Sequence, residues 1–288
     1  MSMSKVYLPV MRFRRPARPV RPTAPPIASR RVRVGGTRIH YRVSGRSDAP
    51  PLVLVHGYSA SSAWWRRNIA GLAARRRVYA LDLVGFGRSW PKRRFSVSEA
   101  AHDIRAWMRE MGLEQADFCG HSMGGHICIH LAATYPRQVR RLVLVDASGL
   151  PLGGRLHHLA WRGLRSSGHT HFRFAPTVVG TSLQAGPLVL LSALRGLLAD
   201  DVQGVLADIA APTLIVWGER DVLVPMELGR VLHAAIAGSR LAVVPGAGHN
   251  VMYECPQEFN RLVEEFLNAE PGPEGPWQGT AHKWSTLA

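Results

Sequence analysis

The pentapeptide Gly120-His121-Ser122-Met123-Gly124 sets a hydroxyl between two glycines where an apolar run, Ala116–Cys119, gives way to a helical pattern that reaches Tyr135 and stops at Pro136. A strand that turns at once into a helix forces its middle residue into a strained backbone, and side chains at the flanking positions would collide with the turn. The glycines relieve that crowding, and the turn lifts the Ser122 hydroxyl to the helix N-terminus. There the Met123 N–H and the helix dipole favour negative charge developing on a substrate oxygen. A serine attacks only when a base takes its proton. His249, in Pro245-Gly246-Ala247-Gly248-His249, offers that base on a glycine-rich loop able to reach across a sheet edge. Asp221, in Trp217-Gly218-Glu219-Arg220-Asp221, offers a carboxylate to orient it. Glu219 and Asp146 are the rival acids; Asp146 ends the strand before a long insertion and carries no matching turn, so Asp221 is preferred.

Other chemistry-bearing residues fit less well. His126 and His130 stand four apart on the helix after Ser122, which is half of a zinc site, but no H-E-x-x-H accompanies them and no third ligand is evident, so no metal is expected. Gly85-Phe86-Gly87 lacks the third glycine of a dinucleotide fingerprint, and no cofactor is expected. Cys119 and Cys128 read as small buried hydrophobes. Trp64 and Trp65, on a helix capped by Ser61 or Ser62, are candidates for the wall of an acyl pocket or for plain helix-to-sheet packing.

The elements that must position these groups alternate. Val32–Val34 and Ile39–Val43 flank Gly35-Gly36 as a hairpin. Leu52–Val55, Val78–Leu81, Ala116–Cys119, Leu142–Val145, Thr213–Trp217 and Arg240–Val244 are brief and mostly apolar, as strands buried on both faces of a parallel sheet are. Helical stripes lie between them: Ala101 to Met111 closed by Gly112, Pro225 to Ala237 closed by Gly238, and Phe259 to Leu267 opened by Pro256. This is an α/β pattern, and Ser122, Asp221 and His249 fall at carboxyl ends of strands, where such sheets bind ligands. Residues 150–208 break the alternation with helix-like pieces at Leu156–Leu164 and Leu188–Leu198 and with His157, His158, His169 and His171, which read as solvated or packing residues. So long an insertion reads as a helical lid over the sheet edge.

Composition bounds the rest. The chain has 288 residues, 46% hydrophobic and 19% charged, which excludes a disordered or fibrous protein as a whole. Its net charge of +16 invites a nucleic-acid reading, but residues 1–46 hold Lys5 and eleven arginines with no acid, so the excess belongs largely to the N-terminal end. Residues 1–29 carry six of the 20 prolines and lack the apolar core of an export signal, so they read as an extended arm. Basic composition alone names no lipid or RNA partner, and no nucleic-acid partner is expected. Three scattered cysteines fit a reducing, cytoplasmic setting.

Over about residues 30–270 the chain resembles the α/β-hydrolase superfamily. The resemblance rests on Val55-His56-Gly57-Tyr58, Asp82-Leu83-Val84-Gly85-Phe86-Gly87-Arg88-Ser89, the Gly-His-Ser-Met-Gly-Gly elbow, Trp217-Gly218-Glu219-Arg220-Asp221 and Gly248-His249. It implies a mostly parallel, twisted sheet flanked by helices, with core segments 30–149 and 209–270, a lid over 150–208 and loose ends at 1–29 and 271–288. It also implies Ser122 as nucleophile, His249 as base, Asp221 as orienting acid, and an oxyanion hole from the N–H groups of Tyr58 and Met123. The expected activity is hydrolysis of a small-molecule carboxylic ester through an acyl-enzyme, with Trp64, Trp65, Leu188 and Leu191 lining an apolar pocket. Acyl transfer, carbon–carbon bond hydrolysis, perhydrolysis or ligand binding without turnover remain open on the same residues.

Overall fold

A computed structural model describes residues 26–151 and 174–269 of the chain. Eight strands form one sheet: β1 (Ala28–Val34), β2 (Thr37–Ser44), β3 (Pro51–Val55), β4 (Arg77–Leu81), β5 (Ala116–His121), β6 (Val139–Val145), β7 (Thr213–Gly218) and β8 (Arg240–Val244). Their order is β1-β2-β4-β3-β5-β6-β7-β8. β1 and β2 pair antiparallel, as do β2 and β4, and every later neighbour is parallel. β1 starts four residues before the expected Val32. Exposed Arg31 and Arg33 alternate with the half-buried Val32 and Val34, an edge-strand pattern that an apolar-run search passes over.

The unbroken apolar runs are explained by burial on both faces. Val53 and Val55 of β3 and Leu142 and Leu144 of β6 join one core cluster. Their neighbours Leu52, Leu54, Val143 and Val145 join the other. The first face is covered by α2 (Val97–Glu110) and α3 (Met123–Thr134), with Ile104, Trp107 and Ile127 inward. The second is covered by α1 (Ile69–Leu72) and the last helix (Pro256–Asn268), which sinks Phe259, Leu262, Val263, Phe266 and Leu267. α2 begins four residues ahead of its expected stripe because Ser96 Oγ accepts the Glu99 N–H and caps it.

The insertion returns to described residues as α4 (Ala175–Ala185) and α5 (Pro187–Ala199), followed by a 3₁₀ turn at Gln203–Asp208. The expected helix Leu156–Leu164 and the four insertion histidines lie outside the described residues. α6 (Met226–Ala235), α7 (Val251–Glu254) and α8 (Pro256–Asn268) complete the chain's described part. Among the described residues no single helix is long and apolar enough to cross a membrane.

Candidate active site

Ser122 joins β5 to α3 with φ 52° and ψ −117°, a left-handed conformation that few non-glycine residues adopt. Three hydrogen bonds hold it there: its N–H donates to Val145 O at 2.9 Å, and its carbonyl accepts the His126 N–H at 3.1 Å and the Ser148 N–H at 3.2 Å. The flanking glycines are needed for space. A Cβ on Gly120 would strike the Gly124 carbonyl, and one on Gly124 would strike the Val55 carbonyl. One on Gly125 would lie 2.6 Å from Ala147 Cβ. The elbow is thus wedged between β3 and the end of β6.

His249 arrives from the loop after β8. Its Nε2 lies 3.1 Å from Ser122 Oγ and its Nδ1 lies 2.7 Å from Asp221 Oδ2. With Nδ1–H donated to the carboxylate, Nε2 is bare and accepts the serine proton. The other Asp221 oxygen accepts the N–H groups of Leu223 at 2.8 Å and Val224 at 2.9 Å, so the turn after β7 holds the acid in place. All three side chains are nearly buried.

The rival acids have other partners. Glu219 takes the Gly246 N–H at the exposed rim. Asp146 is fully buried at the end of β6, and its Oδ1 accepts the Gly218 N–H at 2.8 Å. Burial first, and then the charge of Asp221, push its carboxyl well above the usual carboxylate range.

His121, beside the serine, has a role the motif alone did not reveal. Its Nε2–H donates to the carbonyl of His249 at 2.8 Å and so ties the histidine loop to the elbow. Burial and the neighbouring His249 hold its pKa well below that of an ordinary imidazole, which keeps it a neutral donor. Asp82 was also unassigned by sequence. Its Oδ1 accepts the Ser62 N–H, and its Oδ2 accepts from Arg88 N–H and His40 Nδ1–H, fixing the loops after β3 and β4 to each other.

Met123 opens α3 and is fully buried, and Tyr58 follows β3, the strand hydrogen-bonded to β5. The two segments touch: a Cβ on Gly57 would lie 2.9 Å from His121 Nδ1 and 3.1 Å from Ser122 Cβ. The segments after β3 and β5 therefore meet beside Ser122.

The expected pocket residues separate. Trp64 lies 6.1 Å from His121 between ring centroids and meets Phe174 edge-on at 4.6 Å. Its Nε1–H donates to Thr181 of α4, whose hydroxyl bonds to Ser59 O, so the insertion seats on the loop after β3. Trp65 is wholly buried near Phe259 of α8. Leu188 and Leu191 are about half exposed (52% and 49%), whereas α5 buries Val189 and Ala193. α5 is apolar nearly all round, so no polar face marks its inward side.

On the partner face of α3, His126 and His130 do have a third companion, contrary to the sequence reading. Asp200, just past α5, places Oδ2 2.6 Å from His126 Nε2 and 2.5 Å from His130 Nε2.

Comparison with known proteins agrees with this architecture. The family model described as alpha/beta hydrolase fold matches residues 50–165, and that of a TAP-like protein matches residues 198–275. An uncharacterized protein of Mycobacterium tuberculosis is 30% identical over 293 residues, spanning 88% of this chain and 85% of that one. A 2-hydroxy-6-oxononadienedioate/2-hydroxy-6-oxononatrienedioate hydrolase of Paraburkholderia xenovorans is 29% identical, spanning 81% of this chain and 91% of the relative. Among solved structures, a bacterial membrane phospholipase A superposes with a TM-score of 0.73 at 26% identity, covering 84% of this chain and 87% of that one.

Proposed function

This chain belongs to the α/β-hydrolase family, and from that membership together with the geometry at Ser122 we propose that it is a serine hydrolase cleaving small carboxylic esters of apolar acids through an acyl-enzyme. The observation that carries the reading is the continuous hydrogen-bond path Asp221–His249–Ser122, at 2.7 and 3.1 Å, on a strained elbow. Ser122 Oγ attacks the carbonyl carbon as His249 Nε2 takes its proton, and the N–H groups of Tyr58 and Met123 hold the oxyanion. The ester C–O bond then breaks, and His249 returns the proton to the departing alcohol. Water adds by the same route, frees the acid and restores Ser122. No step calls on a cofactor. The three cysteines are unpaired, which supports a cytoplasmic setting.

The substrate's apolar character is supported by the insertion, whose helices are rich in Leu, Val and Ala, and by Trp64 and Phe174 at the junction with the elbow loop. A second reading, cleavage of a carbon–carbon bond beside a ketone, is favoured by the likeness to the Paraburkholderia hydrolase, whose named substrate is a keto acid with no ester. A panel of p-nitrophenyl esters from acetate to dodecanoate, run beside a 2-hydroxy-6-oxo dienoate, separates the two. Ester turnover that falls about 10⁴-fold in Ser122→Ala supports the first reading. Turnover of the dienoate alone overturns it.

A further inference from the structure

On the far side of α3 from β5, three potential metal ligands converge. His126 and His130 lie one helical turn apart with rings 5.3 Å between centroids and 24° from parallel, so both Nε2 atoms face the same way. Both address Asp200 Oδ2, at 2.6 and 2.5 Å. The donor atoms of the three residues all lie within 4.8 Å of one another. His126 is completely buried, whereas His130 and Asp200 open to the surface, which leaves room for water on one side.

We propose that His126, His130 and Asp200 form a site for a divalent transition-metal cation, zinc by the character of its donors, that fastens the end of the insertion to the helix beginning at Ser122. Two imidazoles and one carboxylate with a solvent-facing fourth position is a donor set that zinc accepts. Tetrahedral zinc with bonds of about 2.0–2.2 Å needs its donors roughly 3.3 Å apart. The carboxylate oxygen therefore withdraws by less than about 1 Å from its present hydrogen bonds to admit the ion. Asp200 can make that movement, because it follows the last turn of α5 with an extended backbone and is partly exposed.

Asp201 adds a second negative charge close to His126. On binding, the His126 proton moves to Nδ1, and the hydrogen bond from Nε2 to Asp200 is exchanged for a coordinate bond.

The position gives the ion a consequence. α3 packs on the sheet directly behind the elbow, and Asp200 terminates α5 of the insertion. Without metal the tie is two hydrogen bonds to one partly exposed oxygen; with metal it is three coordinate bonds. The site is independent of the reading of Ser122, and its test does not require turnover.

The tag-free full chain is stripped with EDTA, dialysed and titrated with CoCl₂ while the visible d–d absorption is followed, and the cobalt form is then challenged with ZnCl₂. The expected result is saturation at one cobalt per chain, displacement by zinc, and a higher melting temperature in ZnCl₂. Binding weakens by at least about 10-fold in both Asp200→Asn and His130→Gln, each checked for a native circular-dichroism spectrum. Absence of d–d absorption in the wild type overturns the proposal and leaves the cluster a hydrogen-bonded latch. Cobalt binding undiminished in folded His130→Gln also overturns it, because the ion then sits on other histidines.

Discussion

Asp146 lies close enough to Asp221 for the two carboxyl groups to act on each other, yet each is held by different hydrogen-bond partners. Asp221 faces His249 at 2.7 Å, whereas Asp146 turns to the Gly218 N–H and, buried next to the charge of Asp221, keeps its proton. The arrangement divides the work between two carboxyl groups that the sequence presents as alternatives.

Replacing the two separately gives opposite results. Asp221→Asn removes the acceptor that fixes the His249 tautomer, and kcat for an ester substrate falls by about 10⁴-fold. Asp146→Asn exchanges a protonated acid for an amide of the same shape and leaves kcat close to the parent value. Steady-state kinetics on both variants check this, and a large loss in Asp146→Asn with little loss in Asp221→Asn would reverse the roles.

The same group makes stability depend on pH. Above the ordinary aspartate value of about 4 the unfolded chain has released this proton and the folded chain has kept it. The contribution of Asp146 is therefore fully present below that value and declines as pH rises toward its elevated folded pKa. Asp146→Asn lacks this decline, so the variant gains stability relative to the parent as pH increases from 5 to 8. Urea denaturation at four pH values measures the difference; a gap that does not change with pH contradicts the assignment.

Gly124→Ala sets a methyl group against the Val55 carbonyl, which belongs to the central strand and cannot withdraw. Overpacking of this kind costs about 1–3 kcal/mol or more. The variant melts at lower temperature and loses esterase activity together with the elbow geometry. A Gly124→Ala protein with parent melting temperature and rate would show that the elbow is looser than described.

Asp117 is the buried anion on which the opposite end of β5 depends. It accepts from Arg76 Nη1 at 3.0 Å and from Arg140 Nε at 2.8 Å while wholly excluded from solvent. Asp117→Ala leaves the buried Arg76 guanidinium without its partner carboxylate, though Nη2 keeps its bonds to Leu267 O and Asn268 Oδ1, and stability falls by about 3 kcal/mol with the active-site distances untouched. Denaturant titration reads the loss, and kcat measured on the fraction that remains folded stays near the parent value.

Strands were legible where both faces are buried, because β3, β7 and the second half of β6 read as unbroken apolar runs and β5 is interrupted only by Asp117 before its end at His121. β1 was half missed, since an edge strand of alternating arginines has no such run. Ser122, Asp221 and His249 stood out because tight turns at strand ends demand glycine, and glycine is visible in a sequence. Asp200 did not, because its partners lie 70 and 74 residues away and the insertion's docking, not local pattern, brings it to α3. His121 and Asp82 act through one backbone carbonyl and three hydrogen-bond donors, relationships that exist only once the chain has folded.

The central claim is that the Ser122 hydroxyl is made nucleophilic by His249. Treating the chain with a fluorophosphonate and locating the adduct by peptide mass spectrometry tests it most directly. One phosphonyl group on Ser122, absent in Ser122→Ala and formed at least about 10³-fold more slowly in His249→Ala, is the predicted result. An unlabelled Ser122 in folded protein, or labelling that proceeds at the parent rate without His249, would contradict it.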